Sequence, residues 1–221
     1  MNTERALTGS RRLRLRAPAR RRAIVGVLVV VLLVLMGLGT KIVSIGSAAG
    51  AAPGSFSPSA YANKQFPKVA AAVEKKAVDA ATLAAALKSD QARARKKYAS
   101  DVSGQPVFSV RLTGKVGAGQ DGIFPVTVAG LPKGLLIRLQ TGPAINGTDI
   151  RDATGAIRFS QFTNQIDYQN AGAALNDQLK KSVLGSVDRS TLPGKKVSVV
   201  GAFTLINPAG WLVTPVKVTL S

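Results

Sequence analysis

The chain has 221 residues, a formal net charge of +19, and neither cysteine nor histidine. Disulfides, thiolate chemistry, the usual zinc ligand sets and histidine-based triads are thereby excluded, and no metal or cofactor is expected. The charge is unevenly placed: residues 1–22 hold eight Arg against Glu4, and residues 41–221 hold 22 Lys and Arg against 10 acids.

The first element in chain order is Ala23 to Gly39, seventeen residues without a charge, of which twelve are Leu, Ile or Val. At about 1.5 Å per residue it reaches roughly 26 Å, and Ile42 and Val43 extend it toward the ~30 Å of a hydrocarbon core. Arg11, Arg12, Arg14, Arg16, Arg20, Arg21 and Arg22 precede it and Lys41 alone follows it, the asymmetry that holds an N-terminus in the cytoplasm. The expected organisation is a basic cytoplasmic tail over 1–22, a transmembrane signal-anchor over 23–40 and an extracytoplasmic remainder. A leader cleaved at Ser47-Ala48-Ala49 is the alternative. With its Ser, Gly, Ala and Pro, residues 41–57 read as a flexible linker.

A helical segment of two or three short helices is expected over 58–103, rich in Ala, Lys and Leu. Pro67 suits a first turn, and Asp79 and Ser89 suit N-caps. Val69, Val73, Ala77, Ala80, Leu83 and Leu87 recur at steps of three and four, predicting one apolar stripe. The cluster Arg93, Arg95, Lys96 and Lys97 reads as a solvated helix face more readily than as a phosphate site.

Past Gly104 the period falls to two. Phe108, Val110 and Leu112 predict one strand; Phe124, Val126 and Val128 a second; Leu135, Ile137 and Leu139 a third, with Arg138 and Gln140 outward. After a long polar connection, a helix is expected from about Asp167, as N-cap, to Leu184, with Tyr168, Ala171, Leu175, Leu179 and Val183 as its apolar stripe and Gly185 just past its end. Val197–Phe203 and Leu212–Leu220 complete the pattern. Three strands, a helix and two strands predict an α+β protein whose residues 104–221 form a five-stranded OB-like barrel with a helix between strands 3 and 4; a β-sandwich with an inserted helix gives nearly the same pattern.

Gly117 to Gly122 fits a dinucleotide fingerprint, but the next residues, Ile123 to Val126, predict a strand rather than the required helix, so a hairpin turn is expected. Asn146-Gly147-Thr148 reads as a tight turn in preference to a glycosylation acceptor. The densest polar chemistry lies between Arg138 and Tyr168. There Arg138, Gln140, Asn146, Arg151, Asp152, Asn164, Gln165 and Tyr168 accompany Phe159 and Phe162, the mixture of amide, guanidinium and ring that a sugar or small polar ligand needs. The competing role for these side chains is to satisfy the backbone of a long irregular connection. No catalytic residue is assigned. An enzyme acting on carbohydrate or wall polymer would have to use carboxylates such as Asp149, Asp152 or Asp167. Nucleic-acid binding is not expected, since the stacking candidates Phe108 and Phe124 point inward.

Thr40 to Val43 after an apolar leader, Arg138-Leu139-Gln140, Asn146-Gly147-Thr148, Arg151-Asp152-Ala153, Phe162 through Tyr168, Gly201-Ala202-Phe203 and Val213-Thr214-Pro215 together resemble domain of unknown function 2291, a family of predicted periplasmic lipoproteins. The resemblance implies an uncharacterised accessory protein beside a sugar ABC transporter, with transporter components or a small sugar as partners. The chain departs from the family at Thr40, where a lipoprotein signal has its cysteine. Acylation is impossible there, and the apolar helix would replace the lipid.

Overall fold

The computed structural model describes residues 18–39, 55–102 and 104–220. The chain divides into two compact units, Met1–Gly50 and Ala51–Ser221. In the first, α1 (Pro18–Gly39) presents exposed residues throughout 24–36. Among the described residues no helix is long and apolar enough to cross a membrane, so the span expected over 23–40 is not supported. The tail before Pro18, most of the linker and the Ser47–Ala49 site lie outside the described residues.

The second unit opens with α2 (Pro58–Lys76), α3 (Ala80–Ser89) and α4 (Gln91–Tyr98), interleaved with the short strands β1 (Val78–Asp79) and β2 (Ala99–Asp101). Pro58, not Pro67, occupies the first turn of α2, and Pro67 lies inside it. Asp79 caps α3 by accepting from the amides of Ala81 and Thr82. Asp90, one residue past the expected Ser89, caps α4 through the Arg93 amide. Because the chain turns between α2 and α3, the expected single stripe is divided: Val69 and Val73 enter one apolar cluster, Ala80 and Leu83 another.

Five longer strands follow: β3 (Pro106–Val116), β4 (Ile123–Val128), β5 (Leu136–Gln140), β6 (Lys196–Thr204) and β7 (Gly210–Leu220). They pair in the order β3-β4-β5-β7-β6, and β6 returns to β3 in antiparallel register from Val107↔Thr204 to Lys115↔Lys196. The pairing of β5 with β7 is parallel. The sheet therefore closes into a five-stranded barrel, which rules out the sandwich.

The period-two alternation sends Phe108, Val110, Leu112, Phe124, Ile137 and Leu139 inward to meet Phe203, Trp211 and Val213. Trp211 stacks on Phe203 with centroids 4.5 Å apart, and Phe203 on Phe108 at 5.7 Å. Helix α3 closes this core with Ala80, Leu83 and Ala84. A second core lies on the outer wall, where Val107, Ala202 and Val216 meet Val69 and Val73 of α2 and Leu175 and Leu179 of α6 (Gln165–Leu179). The expected helix between the third and fourth barrel strands, here α6 between β5 and β6, thus packs outside the barrel.

Helix α6 is capped by Asn164, whose Oδ1 accepts from the Asp167 amide at 2.9 Å. Asp167, expected as the cap, instead lies in the first turn, where its charge favours the helix N-terminus. Lys180–Leu184 continue α6 as a π-helical turn. The Gly117–Gly122 segment is a hairpin loop: Asp121 and Gly122 have φ of 53° and 76°. A Cβ at Gly122 would lie 1.4 Å from the Gly142 carbonyl oxygen, so only glycine fits.

Candidate functional site

The connection from β5 to α6 carries a short helix, α5 (Asp149–Asp152), whose four residues are all buried. What holds it down is polar. Gln140 points out of the barrel, as alternation requires, yet it is buried beneath the connection rather than solvent-facing. Its Nε2 donates to Thr214 Oγ1 at 2.9 Å, and its Oε1 accepts from the Asn146 amide at 3.1 Å. Thr214 passes its own proton to Asp149 Oδ2 at 3.0 Å, while Thr204 donates to Asp149 Oδ1 at 2.5 Å. From α6, Asn176 Nδ2 donates to the Gly147 carbonyl at 2.9 Å. The connection is thereby fixed to β5, β6, β7 and α6 together.

Arg151 and Asp152 form a second part of the network. Arg151 Nε and Nη2 meet the two oxygens of Asp152 at 2.8 and 3.0 Å, the bidentate geometry. Thr148 Oγ1 donates to Asp152 Oδ2 at 2.7 Å, and the Tyr168 hydroxyl to Oδ1 at 3.3 Å. The Arg151 guanidinium also lies 3.8 Å from the centroid of the Tyr168 ring, a cation–π contact strengthened by its burial. Burial pushes the Asp149 carboxyl above its usual 3.8, the nearby Asp152 charge adds to that, and the hydrogen bonds from Thr204 and Thr214 oppose it.

Of the ligand residues expected from sequence, Gln140, Arg151, Asp152 and Tyr168 are thus engaged in this network, as is the backbone of Asn146. Asn164 is a helix cap. Arg138 is partly buried on the outer wall between Pro125 and Leu212, with its Nε lacking a hydrogen-bond partner. Phe162 belongs to an aromatic cluster with Phe56, Tyr61 and Tyr168, each ring pair about 5.3–5.4 Å apart. Sequence reasoning missed Thr148, Asn176, Thr204 and Thr214. The one local signal was Thr214, a polar residue between the buried Val213 and Pro215 in a strand otherwise rich in apolar side chains.

An open cleft remains on the outer edge of this network. Asp101, Val102, Arg158, Phe159, Gln165 and Tyr168 line about 450 Å³. Phe159 is 49% exposed and packs edge-on to Tyr168 at 5.8 Å. Arg158 Nε reaches the Gly155 carbonyl at 3.3 Å, and Asp101 pairs with Arg95. Cation, carboxylate, amide and ring edges surround one concavity, a combination suited to a neutral polyhydroxylated ligand. Among the described residues that line it, Asp101 is the one carboxylate; Asp149 and Asp152 are buried and engaged elsewhere.

A family model described as a predicted periplasmic lipoprotein (DUF2291) matches residues 28–219. No curated protein matches the chain. Among solved structures, an OB-fold protein from Thermotoga maritima is similar, with a TM-score of 0.62 and 21% identity over 76% of this chain and 99% of that one. That likeness concerns the fold.

Proposed function

We propose, because this chain belongs to the DUF2291 family of predicted periplasmic lipoproteins, that its Ala51–Ser221 unit is a ligand-binding accessory module held at the outer face of a membrane. The family gives the extracytoplasmic, membrane-associated location. The means of attachment is our reading: the chain has no cysteine to acylate, and the uncharged stretch from Ala23 to Gly39 in α1 supplies a single-pass anchor with the Arg-rich flank on the cytoplasmic side.

The ligand we assign is a small sugar, bound in the cleft beside Phe159. The observation that carries this is an exposed ring set against Arg158, Gln165 and Asp101 in a concavity of about 450 Å³. Sugar rings offer apolar C–H faces to aromatic surfaces and hydroxyls to amide and guanidinium groups. Service to a carbohydrate ABC transporter follows as the role of such a module. Thermal unfolding of the full chain against a panel of mono- and disaccharides tests the reading. At least one sugar is expected to raise the midpoint of the wild type and not of Phe159→Ser. No shift across the panel, together with no transporter component in pull-downs from membranes, would overturn it.

A further inference from the structure

The outer wall of the barrel is only partly covered. Toward one end of β3, β6 and β7, Val107, Ala202 and Val216 lie beneath α2 and α6. Toward the other, the same three strands continue past the α2 C-terminus with side chains in register. Arg111, Val200 and Lys217 form one cross-strand row; Thr113, Ser198 and Thr219 form the next; Lys115 and Lys196 form a third. Their cationic side chains are all exposed. A groove of about 430 Å³ follows the first two rows.

Four cations here face two acids. Lys217 Nζ meets Glu74 Oε2 at 3.0 Å, and Asp79 is occupied in capping α3. Arg111 uses Nη2 for the Glu74 main-chain oxygen at 3.2 Å. Thr113 and Ser198 hydroxyls lie 2.9 Å apart, so only one of their protons is used between them.

We propose that this uncovered face binds an extended, linear polymer carrying phosphodiester charges. The first and third rows are four residues apart along the strands, about 13 Å, with the hydroxyl row midway. A single anion reaches one row, whereas a chain with repeated charges engages both cationic rows and receives hydroxyl hydrogen bonds between them. The concavity admits a chain and holds a flat bilayer surface away. The extracytoplasmic location of the family selects a polyol phosphate rather than a nucleic acid as that polymer, and the inference is independent of the sugar cleft.

The experiment measures binding of a fluorescent glycerol phosphate oligomer to the full chain in non-ionic detergent. Affinity is expected to fall with added salt and to weaken about fivefold for each of Arg111→Gln, Lys115→Gln and Lys196→Gln. Ser198→Asp should weaken it further, with Lys133→Gln as a charge-matched control. Thermal midpoints verify that each variant is folded. Neutral polyglycerol should not bind. Equal binding by all folded groove variants would overturn the proposal. So would competition by inorganic phosphate at an equal concentration of phosphate groups, or binding to phosphatidylglycerol vesicles with none to the oligomer.

Discussion

The inside of the barrel and the layer over its outer wall are built on different physics. Inside, Trp211, Phe203 and Phe108 stack among aliphatic side chains, and Trp211 Nε1 has no hydrogen-bond partner. Burial of apolar area outweighs that orphaned donor: a large aromatic removes 150–250 Å² from water, at roughly 25 cal/mol per Å². Over the outer wall, α5 is secured by carboxylates, hydroxyls, an amide and a guanidinium. There each group is acceptable only because its partner is present. The contrast predicts a core sensitive to lost volume and a polar layer sensitive to lost pairing.

The largest effect is expected from Trp211→Ala, which empties the centre of the stack and should cost about 3–5 kcal/mol, read as a fall in the unfolding midpoint of the full chain. Trp211→Phe should cost less, since most of the apolar volume is kept. In the outer layer, Arg151→Met alone should cost about 3 kcal/mol, because the Asp152 charge stays buried without its ion pair. The double variant Arg151→Met with Asp152→Leu should recover part of that loss. If the double change is as costly as the sum of the two single ones, the pairing account of this layer is wrong.

The smallest effect concerns pH. Asp149 has its carboxyl raised in the fold, chiefly by burial, so folding favours the protonated form. Its contribution is fully present below the usual value of 3.8 and is lost as pH rises through the raised value. Asp149→Asn cannot ionise, and its amide can still meet both threonine hydroxyls. The difference in stability between wild type and variant should therefore move against the wild type as pH rises through that window. A difference curve that is flat, or slopes the other way, would sink the assignment.

The same contrast explains which parts were legible in the residues. Barrel strands declare themselves locally, because Phe108, Val110 and Leu112 alternate whatever lies opposite. The β5-to-α6 connection does not. Alternation correctly turned Gln140 out of the barrel, but its burial depends on Thr214, 74 positions away, and on a covering segment with no period of its own. The α6 cap was misplaced from Asn164 to Asp167 because both residue types suit an N-cap and only the hydrogen bond separates them. The apolar repeat from Val69 to Leu87 gave no sign that the extended break between α2 and α3 divides it between two clusters. Most of the expected ligand residues are hydrogen-bonded within the connection, and Gln165 and Tyr168 from that set line the open cleft.

The first strand of the barrel has more neighbours than closure alone demands. Besides β4 and β6, β3 receives β1 alongside Val110 and Arg111 and β2 alongside Pro106 to Phe108. Both short strands belong to the stretch ahead of the barrel, so residues preceding Gly104 act as a selvage on the woven sheet. A fragment begun at Gly104 would bare peptide groups of β3 to other fragments, inviting strand addition between molecules. The preceding helical stretch therefore keeps neighbouring copies from knitting together.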